Sequence, residues 1–301
     1  MAVAERPGWP ALLARPGPIL ADGAMGTMLF EAGLASGEAP ERWNVERPEA
    51  VREVHRAYRA AGSRLLLTNT FGGNRFRLAL HGLDKRVAEL NRAAARLAGE
   101  AARAGGGGAV VAGDIGPSGA ILAPLGELAP EDAAAGFAEQ AAALRDGGVD
   151  VFWIETMSAL DEVEAALQGV RRAAPEAPVV VTMSFDTHGR TMMGVTPEQA
   201  VVALAELGVA AAGGNCGLGP AELRPAIAAM RAARPDAVLV AKPNAGLPEL
   251  VDGRAVYRGS PAELAGYAGR LVAAGARIVG GCCGSTPAHL RAMAEALEIT
   301  T

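Results

Sequence analysis

Short apolar segments alternate with longer helical patterns along this 301-residue chain, and the alternation constrains its fold more than any other feature. The predicted strands are residues 18–21, 64–68, 109–113, 151–154, 179–183, 210–213, 238–241 and 277–279. The predicted helices are residues 48–61, 85–104, 130–147, 159–174, 197–207, 220–233, 261–274 and 287–297. Eight strand–helix units in a chain of this length predict a single-domain α/β fold, the (β/α)8 or TIM barrel. A doubly wound open sheet is the main alternative.

Composition and charge limit where the chain is located and which partners it binds. Residues 1–17 contain three prolines and no apolar core segment, so we expect an N-terminal extension rather than a signal peptide, with the barrel over residues 18–301. No apolar run reaches the roughly 20 residues that a membrane helix needs. The net charge of −5, spread over interspersed acids and bases, argues against a nucleic-acid partner. An odd set of three cysteines predicts a reducing, cytoplasmic environment. A homo-oligomer is compatible with all of this.

Polar side chains follow almost every predicted strand, at the end where barrel enzymes hold their catalytic groups. Capping of loops would account for one or two such residues, but it accounts poorly for a series around the whole ring. We therefore expect an active site at the C-terminal ends of the strands. The residues concerned are Asp22, Thr68, Asn69, Thr70, Asp114, Glu155, Ser184, Asp186, Asn215, Cys216, Lys242, Asn244, Cys282 and Cys283.

The three cysteines form the most specific part of this pattern. Cys282 and Cys283 are adjacent inside a glycine frame, and Cys216 follows strand six in a second one. Neighbouring cysteines are badly placed to form a disulfide with each other. Strands six and eight are separated by one strand in a closed ring, so all three sulfurs can reach one Zn²⁺ and leave one coordination position open. The alternative is that they are buried apolar cysteines.

Three thiolates predict a particular kind of zinc chemistry. They more than neutralise the ion, which weakens it as a Lewis acid and favours holding a substrate thiol as its thiolate. The expected reaction is attack of that sulfur on an electrophilic carbon. If the thiol substrate is an amino acid, Glu155 is the best partner for its ammonium group, and glycine N–H groups beside Asp22 can bind its carboxylate.

The sequence resembles the homocysteine S-methyltransferase family over about residues 18–295. The matching segments are 22–28 (DGAMGTM), 68–71 (TNTF), 113–117 (GDIGP), 155–157 (ETM), 214–216 (GNC), 243–246 (PNAG) and 280–287 (GGCCGSTP). The resemblance implies a TIM barrel with catalytic zinc on Cys216, Cys282 and Cys283. It also implies that homocysteine is bound at Asp22, Gly23, Glu155 and Asn215, and that methionine is the product.

The resemblance also bears on the methyl donor. Segments 38–44, 153–158 and 184–194 resemble bacterial members assigned to betaine, and Trp43 matches a tryptophan that faces the quaternary ammonium group. Two tyrosines of the animal betaine enzymes are replaced here by Gly72 and Thr156. Segment 243–248 is more similar to the homocysteine module of cobalamin-dependent methionine synthase, which would need a separate corrinoid-protein partner.

Several functions therefore compete at this stage. The leading hypothesis is a zinc-dependent homocysteine S-methyltransferase that uses an onium donor, with betaine foremost. S-methylmethionine or a corrinoid protein are the alternative donors. Two other classes remain open, namely a zinc- or thiol-sensing protein without turnover, and a lyase or aldolase with a Schiff base on Lys242.

Overall fold

The computed structural model describes residues 6–104, 108–217, 219–251 and 254–299. Its strands are β1 (Ile19–Leu20), β2 (Leu65–Leu67), β3 (Val110–Ile115), β4 (Val151–Met157), β5 (Val179–Met183), β6 (Ala211–Cys216), β7 (Leu239–Pro243), β8 (Pro248–Val251), β9 (Arg254–Tyr257) and β10 (Ala276–Val279). Its α-helices are α1 (Trp9–Leu13), α2 (Met25–Glu31), α3 (Trp43–Glu46), α4 (Pro48–Ala60), α5 (Arg75–Ala79), α6 (Val87–Arg103), α7 (Pro130–Gly147), α8 (Leu160–Ala173), α9 (Pro197–Glu206), α10 (Pro220–Ala233), α11 (Pro261–Ala273) and α12 (Pro287–Ala296). Two 3-10 helices cover Pro40–Arg42 and Asp84–Arg86.

Eight parallel strands form one sheet that closes into a barrel. Their order is β1-β10-β7-β6-β5-β4-β3-β2. A parallel bridge between Ala21 and Leu65 joins the two ends of this order, and the Arg64 N–H donates to the Leu20 carbonyl at 2.8 Å. The predicted (β/α)8 barrel is therefore confirmed, and the open-sheet alternative is wrong.

The strands are buried on both faces, as parallel sheets require. One apolar cluster fills the barrel interior, with Trp153 as its largest strand side chain, and a second cluster lies between the strands and the surrounding helices. Helices that begin at proline recur around the ring, because proline fits the first turn without losing a needed N–H. In the described part of the chain no helix has both the length and the apolar character needed to cross a membrane.

Several strands extend further toward their C-terminal ends than the sequence predicted. Asp114, Glu155, Asn215, Cys216 and Lys242 all lie inside strands rather than after them. The backbones of four of them pair with the neighbouring strands, and Cys216, for example, is in register with Pro243. Glu155 lies where the register between β4 and β5 shifts. This pairing matters for function because it places the polar side chains on rigid backbone at the rim of the barrel.

The N-terminal end of the barrel is covered by α1, which lies within the predicted extension. Trp9 is 5% exposed and Leu12 is 1% exposed, and both pack against the apolar interior of the barrel. Arg277, at the start of β10, donates a hydrogen bond to the Leu13 carbonyl at 3.1 Å. Residues 9–13 thus cover the end of the barrel that faces away from the candidate site.

The antiparallel hairpin of β8 and β9 was not predicted. It is inserted between β7 and α11, on the same side of the barrel as the polar strand ends. Tyr257 at the end of β9 lies against Gly284, where an added Cβ would come within 2.2 Å of the Tyr257 Cβ. The hairpin therefore packs on the loop that carries the adjacent cysteines.

Candidate metal centre and substrate cavity

The structure brings the three predicted metal ligands together. The sulfur atoms of Cys216, Cys282 and Cys283 all lie within 4.8 Å of one another. They are partly exposed and line one cavity of about 700 Å³ at the C-terminal end of the barrel. Three soft thiolate donors facing a cavity fit Zn²⁺ with a fourth position left open for substrate.

Backbone hydrogen bonds hold the two cysteine-bearing loops in place. The Cys282 N–H donates to the Pro243 carbonyl at 2.8 Å, and the Cys283 carbonyl accepts from the Ala245 N–H at 2.9 Å. The Ser285 hydroxyl donates to the Cys282 carbonyl at 2.7 Å. The loops after β7 and β10 therefore support each other, although the 32 residues 244–275, which include the hairpin and α11, separate the two strands.

Cys216 has an unusual backbone conformation. Its φ of 60° lies in the left-handed region, which is costly for a residue with a side chain. Hydrogen bonds from the thiols of Cys282 and Cys283 lower the pKa of Cys216, and its sulfur is the easiest of the three to ionise. The same interactions raise the pKa of Cys283, so the protein alone stabilises one thiolate in this cluster.

Asp22 and Lys242 form a buried ion pair on the cavity wall. Their Oδ1 and Nζ atoms are 3.2 Å apart, and each side chain is 3% exposed. The Leu67 N–H donates to the second oxygen of Asp22 at 2.7 Å. Burial alone would lower the pKa of Lys242, but Asp22 and Glu155 raise it above its ordinary value. A lysine held protonated is a poor nucleophile, so this pair disfavours the Schiff-base alternative.

Two further carboxylates on the cavity wall have unsatisfied oxygens. Glu155 on β4 is 8% exposed and Asp114 on β3 is 5% exposed. The Glu155 Oε2 and Asp114 Oδ1 atoms have no hydrogen-bond partner among the described residues. Burial raises the pKa of Glu155 to about 7 and also raises that of Asp114. An ammonium group would supply the donors and the positive charge that these oxygens lack.

The oxygen and the nitrogen of the Asn215 side chain both form hydrogen bonds with other protein groups. Its side-chain oxygen accepts from the Thr156 N–H at 2.9 Å and from the Thr182 hydroxyl at 2.7 Å. Its NH₂ group donates to the Thr156 hydroxyl at 2.7 Å and to the Cys282 sulfur at 3.8 Å. Asn215 therefore links the end of β4 to the cysteine cluster. A direct contact with homocysteine stays a prediction.

Gly23 lines the cavity beside the ion pair, and its contact with homocysteine stays a prediction. A Cβ at Gly23 would approach the Ser285 hydroxyl to 2.6 Å and the Tyr58 ring to 2.8 Å. The absence of a side chain therefore lets the loop after β1 pack under the cysteine loop. This packing brings the backbone of Gly23 to the cavity.

Trp43 is not among the residues that line the cavity. Its side chain is 5% exposed, and the Arg47 guanidinium lies 4.2 Å from the centre of its ring. A contact between Trp43 and the methyl donor stays a prediction, and the structure places this residue with the packed core instead. Glu41, two residues earlier, does line the cavity and was missed by the sequence analysis.

Asp114 and Tyr257 were also absent from the predicted substrate contacts, yet both line the cavity. Asp114 could have been found, because it follows a strand pattern in the same way as Glu155. Tyr257 could not, since only the hairpin places it beside the cysteines. Desolvation and the neighbouring Cys283 raise its pKa well above the ordinary value.

Residues 19–297 match the family described as homocysteine S-methyltransferase. The chain is 35% identical to methionine synthase of Mycobacterium leprae and 36% identical to that of Mycobacterium tuberculosis, each over 295 residues. These matches cover 93% of this chain but only 24% of the two synthases.

Among solved structures, the chain is similar to the homocysteine methyltransferase MmuM from Escherichia coli. The metallated form is 29% identical with a TM-score of 0.79, and the match covers 94% of this chain and 97% of MmuM. The oxidised form gives a TM-score of 0.80 at the same identity. With the family match spanning almost the whole barrel, the chain belongs to the homocysteine S-methyltransferase family.

Proposed function

We propose that this protein transfers a methyl group from an onium donor, with betaine foremost, to homocysteine bound at a Zn²⁺ site, and so forms methionine. The observation that carries the proposal is the convergence of three sulfurs at one end of a cavity whose wall holds two unsatisfied carboxylates. Cys216, Cys282 and Cys283 would hold the ion. When bound there, zinc would lower the pKa of the substrate thiol and keep it as a nucleophilic thiolate.

The protein's own residues would orient homocysteine. Glu155 and Asp114 would bind its ammonium group, which satisfies oxygens that otherwise remain buried without donors. The backbone at Gly23 would lie near its carboxylate. The ion pair of Asp22 and Lys242 would hold the loop after β1 in place. Within this pair the two charges neutralise each other.

The transfer itself is a single displacement. The thiol proton leaves first, and the sulfur lone pair then forms the new S–CH₃ bond. The bond between the methyl carbon and the onium nitrogen or sulfur breaks, and its electron pair stays on that atom. With betaine the products are methionine and dimethylglycine, so charge and atoms balance without an oxidant or reductant.

The charge of the cavity supports a cationic donor. Five carboxylate side chains line it, against one lysine, one arginine and one histidine. A donor that brings positive charge is stabilised in such a site, whereas an anionic donor is repelled. The carboxylates are those of Asp22, Glu38, Glu41, Asp114 and Glu155.

A second candidate comes from the similarity to methionine synthases. In that case the chain would act as a stand-alone homocysteine module and would receive its methyl group from a corrinoid-protein partner. S-methylmethionine is a further onium donor, and its net positive charge also suits the acidic cavity.

A donor screen tests these alternatives. Purified protein would be loaded with zinc and incubated with homocysteine and one of betaine, S-methylmethionine, S-adenosylmethionine, a dimethylsulfonio compound or methylcobalamin, with methionine measured by mass spectrometry. We expect methionine from betaine and none from a Cys282→Ser, Cys283→Ser control. Turnover with methylcobalamin alone would replace the onium proposal by the corrinoid one. No methionine from any donor would favour a sensing protein.

A further inference from the structure

The wall of the same cavity carries a further carboxylate next to a glycine. Glu41, in the 3-10 helix Pro40–Arg42, is 4% exposed and lines the cavity. Its Oε1 accepts from the Gly72 N–H at 2.7 Å. A Cβ at Gly72 would lie 3.0 Å from that oxygen. A tyrosine side chain at position 72 and the carboxylate of Glu41 would therefore compete for the same space.

Hydrogen bonds fix Glu41 relative to the barrel. The Asn69 NH₂ group donates to the Pro40 carbonyl at 2.8 Å and to the Asn44 side-chain oxygen at 2.9 Å. Asn44 in turn donates to the Asn69 carbonyl at 2.9 Å. This reciprocal pair ties the segment around Glu41 to the end of β2. The carboxylate is consequently held in place before any ligand binds.

The charge of Glu41 is not neutralised by a direct partner. Among the described residues Glu41 forms no ion pair, and Arg77 and His81, which line the same cavity, act on it only as weaker electrostatic influences than burial. Burial accordingly raises the pKa of Glu41. Burying a charged carboxylate is unfavourable, and a positively charged ligand in the cavity would offset that cost.

Two aromatic rings line the same cavity as Glu41. Phe30 is 52% exposed and Phe71 is 39% exposed, and both line the cavity. Exposed phenylalanine side chains are unfavourable in water but suit the methyl groups of an onium ion, whose charge is spread over them. A carboxylate together with aromatic rings thus complements both the charge and the apolar surface of such an ion.

We propose that Glu41 determines donor specificity by binding the positive charge of a small quaternary ammonium or sulfonium donor, with Phe30 and Phe71 contacting its methyl groups. Arg77 offers positive charge, and both Arg77 and His81 offer N–H donors, to the carboxylate of a zwitterionic donor. This assignment rests on the proposed onium-dependent methyl transfer. In animal betaine enzymes a tyrosine stands where this chain has Gly72. The proposal gives the Glu41 carboxylate the donor-binding role of that tyrosine.

The test compares two ligands of the same shape that differ in charge. Glycine betaine carries a quaternary nitrogen, and 3,3-dimethylbutanoate has a carbon in its place. Affinities would be measured by calorimetry on zinc-loaded protein saturated with norvaline, which resembles homocysteine but has no thiol and cannot react. We expect wild-type protein to prefer betaine. Glu41→Gln, which keeps an acceptor for Gly72, should weaken betaine binding about ten- to hundredfold. The same variant should leave the affinity for the anionic 3,3-dimethylbutanoate unchanged or raise it, because a repelling carboxylate is removed.

The controls separate charge recognition from shape. Glu46→Gln removes an exposed carboxylate of the same segment, paired with Arg42, and should change neither affinity. Phe30→Leu should weaken betaine by roughly threefold, because it removes a π-face and keeps an apolar side chain. Equal losses for both ligands in Glu41→Gln, or an unchanged preference for betaine, would overturn the proposal.

Binding is read here without turnover, which separates this inference from the proposed function. If charge-selective binding depends on Glu41 but no methionine forms, only the proposed reaction fails. If wild-type protein binds both ligands alike while methionine forms from some donor, only the role of Glu41 fails.

Discussion

The two ends of the barrel are built from the same eight strands but differ in chemistry. The N-terminal end is covered by the apolar side chains of Trp9 and Leu12. The C-terminal end holds a buried ion pair, two carboxylates with unsatisfied oxygens and three sulfurs. One end therefore gains stability from burial of apolar surface, whereas the other keeps groups whose burial is unfavourable unless a ligand arrives. Such local conflicts with stability mark functional sites.

Unfavourable backbone conformations also occur beside the cysteine cluster. Thr156 and Cys216 have φ angles of 61° and 60°, and both border the cysteine cluster. The side chain of Asn215, the residue before Cys216, forms hydrogen bonds with both the backbone and the hydroxyl of Thr156, so the surrounding structure ties these two unfavourable conformations together. The comparison predicts that changes at the cavity end reduce function with little loss of stability, and that changes at the covered end do the reverse.

The largest expected effect is at the cysteine cluster. A Cys282→Ala, Cys283→Ala double variant should lose its zinc and at least about a thousandfold in activity, because the substrate thiol loses the group that ionises it. The melting temperature should stay within a few degrees of wild type, since the sulfurs are at the cavity rather than in the core. Metal analysis and thermal melts check this. Wild-type zinc content in the variant would contradict the site.

At the covered end, Trp9→Ala should lower the free energy of unfolding by about 3–5 kcal/mol, the range for removing a buried aromatic ring. Activity per folded molecule should remain near wild type at temperatures where the variant is folded. Urea unfolding combined with methionine assays measures both quantities, and Trp9→Phe is the milder control. If Trp9→Ala instead abolished activity in folded protein, the functional separation of the two ends would be wrong.

His55 on α4 tests a buried titratable group that belongs to neither end. It is fully buried, neither ring nitrogen has a partner among the described residues, and burial lowers its pKa to about 4. Below pH 6.5 the unfolded chain binds a proton that the folded protein does not, so stability is lost as the pH falls from about 6.5 to 4. The loss should reach roughly 3 kcal/mol.

Urea unfolding at pH 7.5 and pH 4.5 would compare wild type with His55→Leu. Between pH 7.5 and pH 4.5 the free energy of unfolding should fall more in wild type than in His55→Leu, because leucine does not titrate. A difference that is independent of pH would show that His55 is not held neutral in the folded state.

The smallest of these effects concerns Glu155. Glu155→Gln should weaken homocysteine binding by about 1.5–3 kcal/mol, the range for a hydrogen bond to a charged group. Zinc content should not change. Stability at neutral pH should be equal or higher, because burial disfavours the charged carboxylate. Calorimetric titration of homocysteine measures the affinity, and wild-type affinity would place the ammonium group elsewhere.

Much of the fold and the centre of the site followed from local sequence. The alternation of apolar and helical segments predicted the barrel, because each strand and helix has its own periodicity. The glycine-framed cysteines predicted the sulfur cluster, because the sixth and eighth predicted strands, which are β6 and β10 of the structure, must be near each other in a closed ring. Neither inference needed knowledge of how distant side chains pack.

Tertiary structure decided the rest. Sequence gave no sign that α1 would cover the barrel, that the hairpin would bring Tyr257 to the cysteines, or that Trp43 would pack under Arg47 while Glu41 lines the cavity. Asp22 and Lys242 are 220 residues apart, and Asn215 contacts Thr156 and Cys282 across strands. Periodicity reports which face of an element is buried, but only the closed ring of strands decides which side chains meet there.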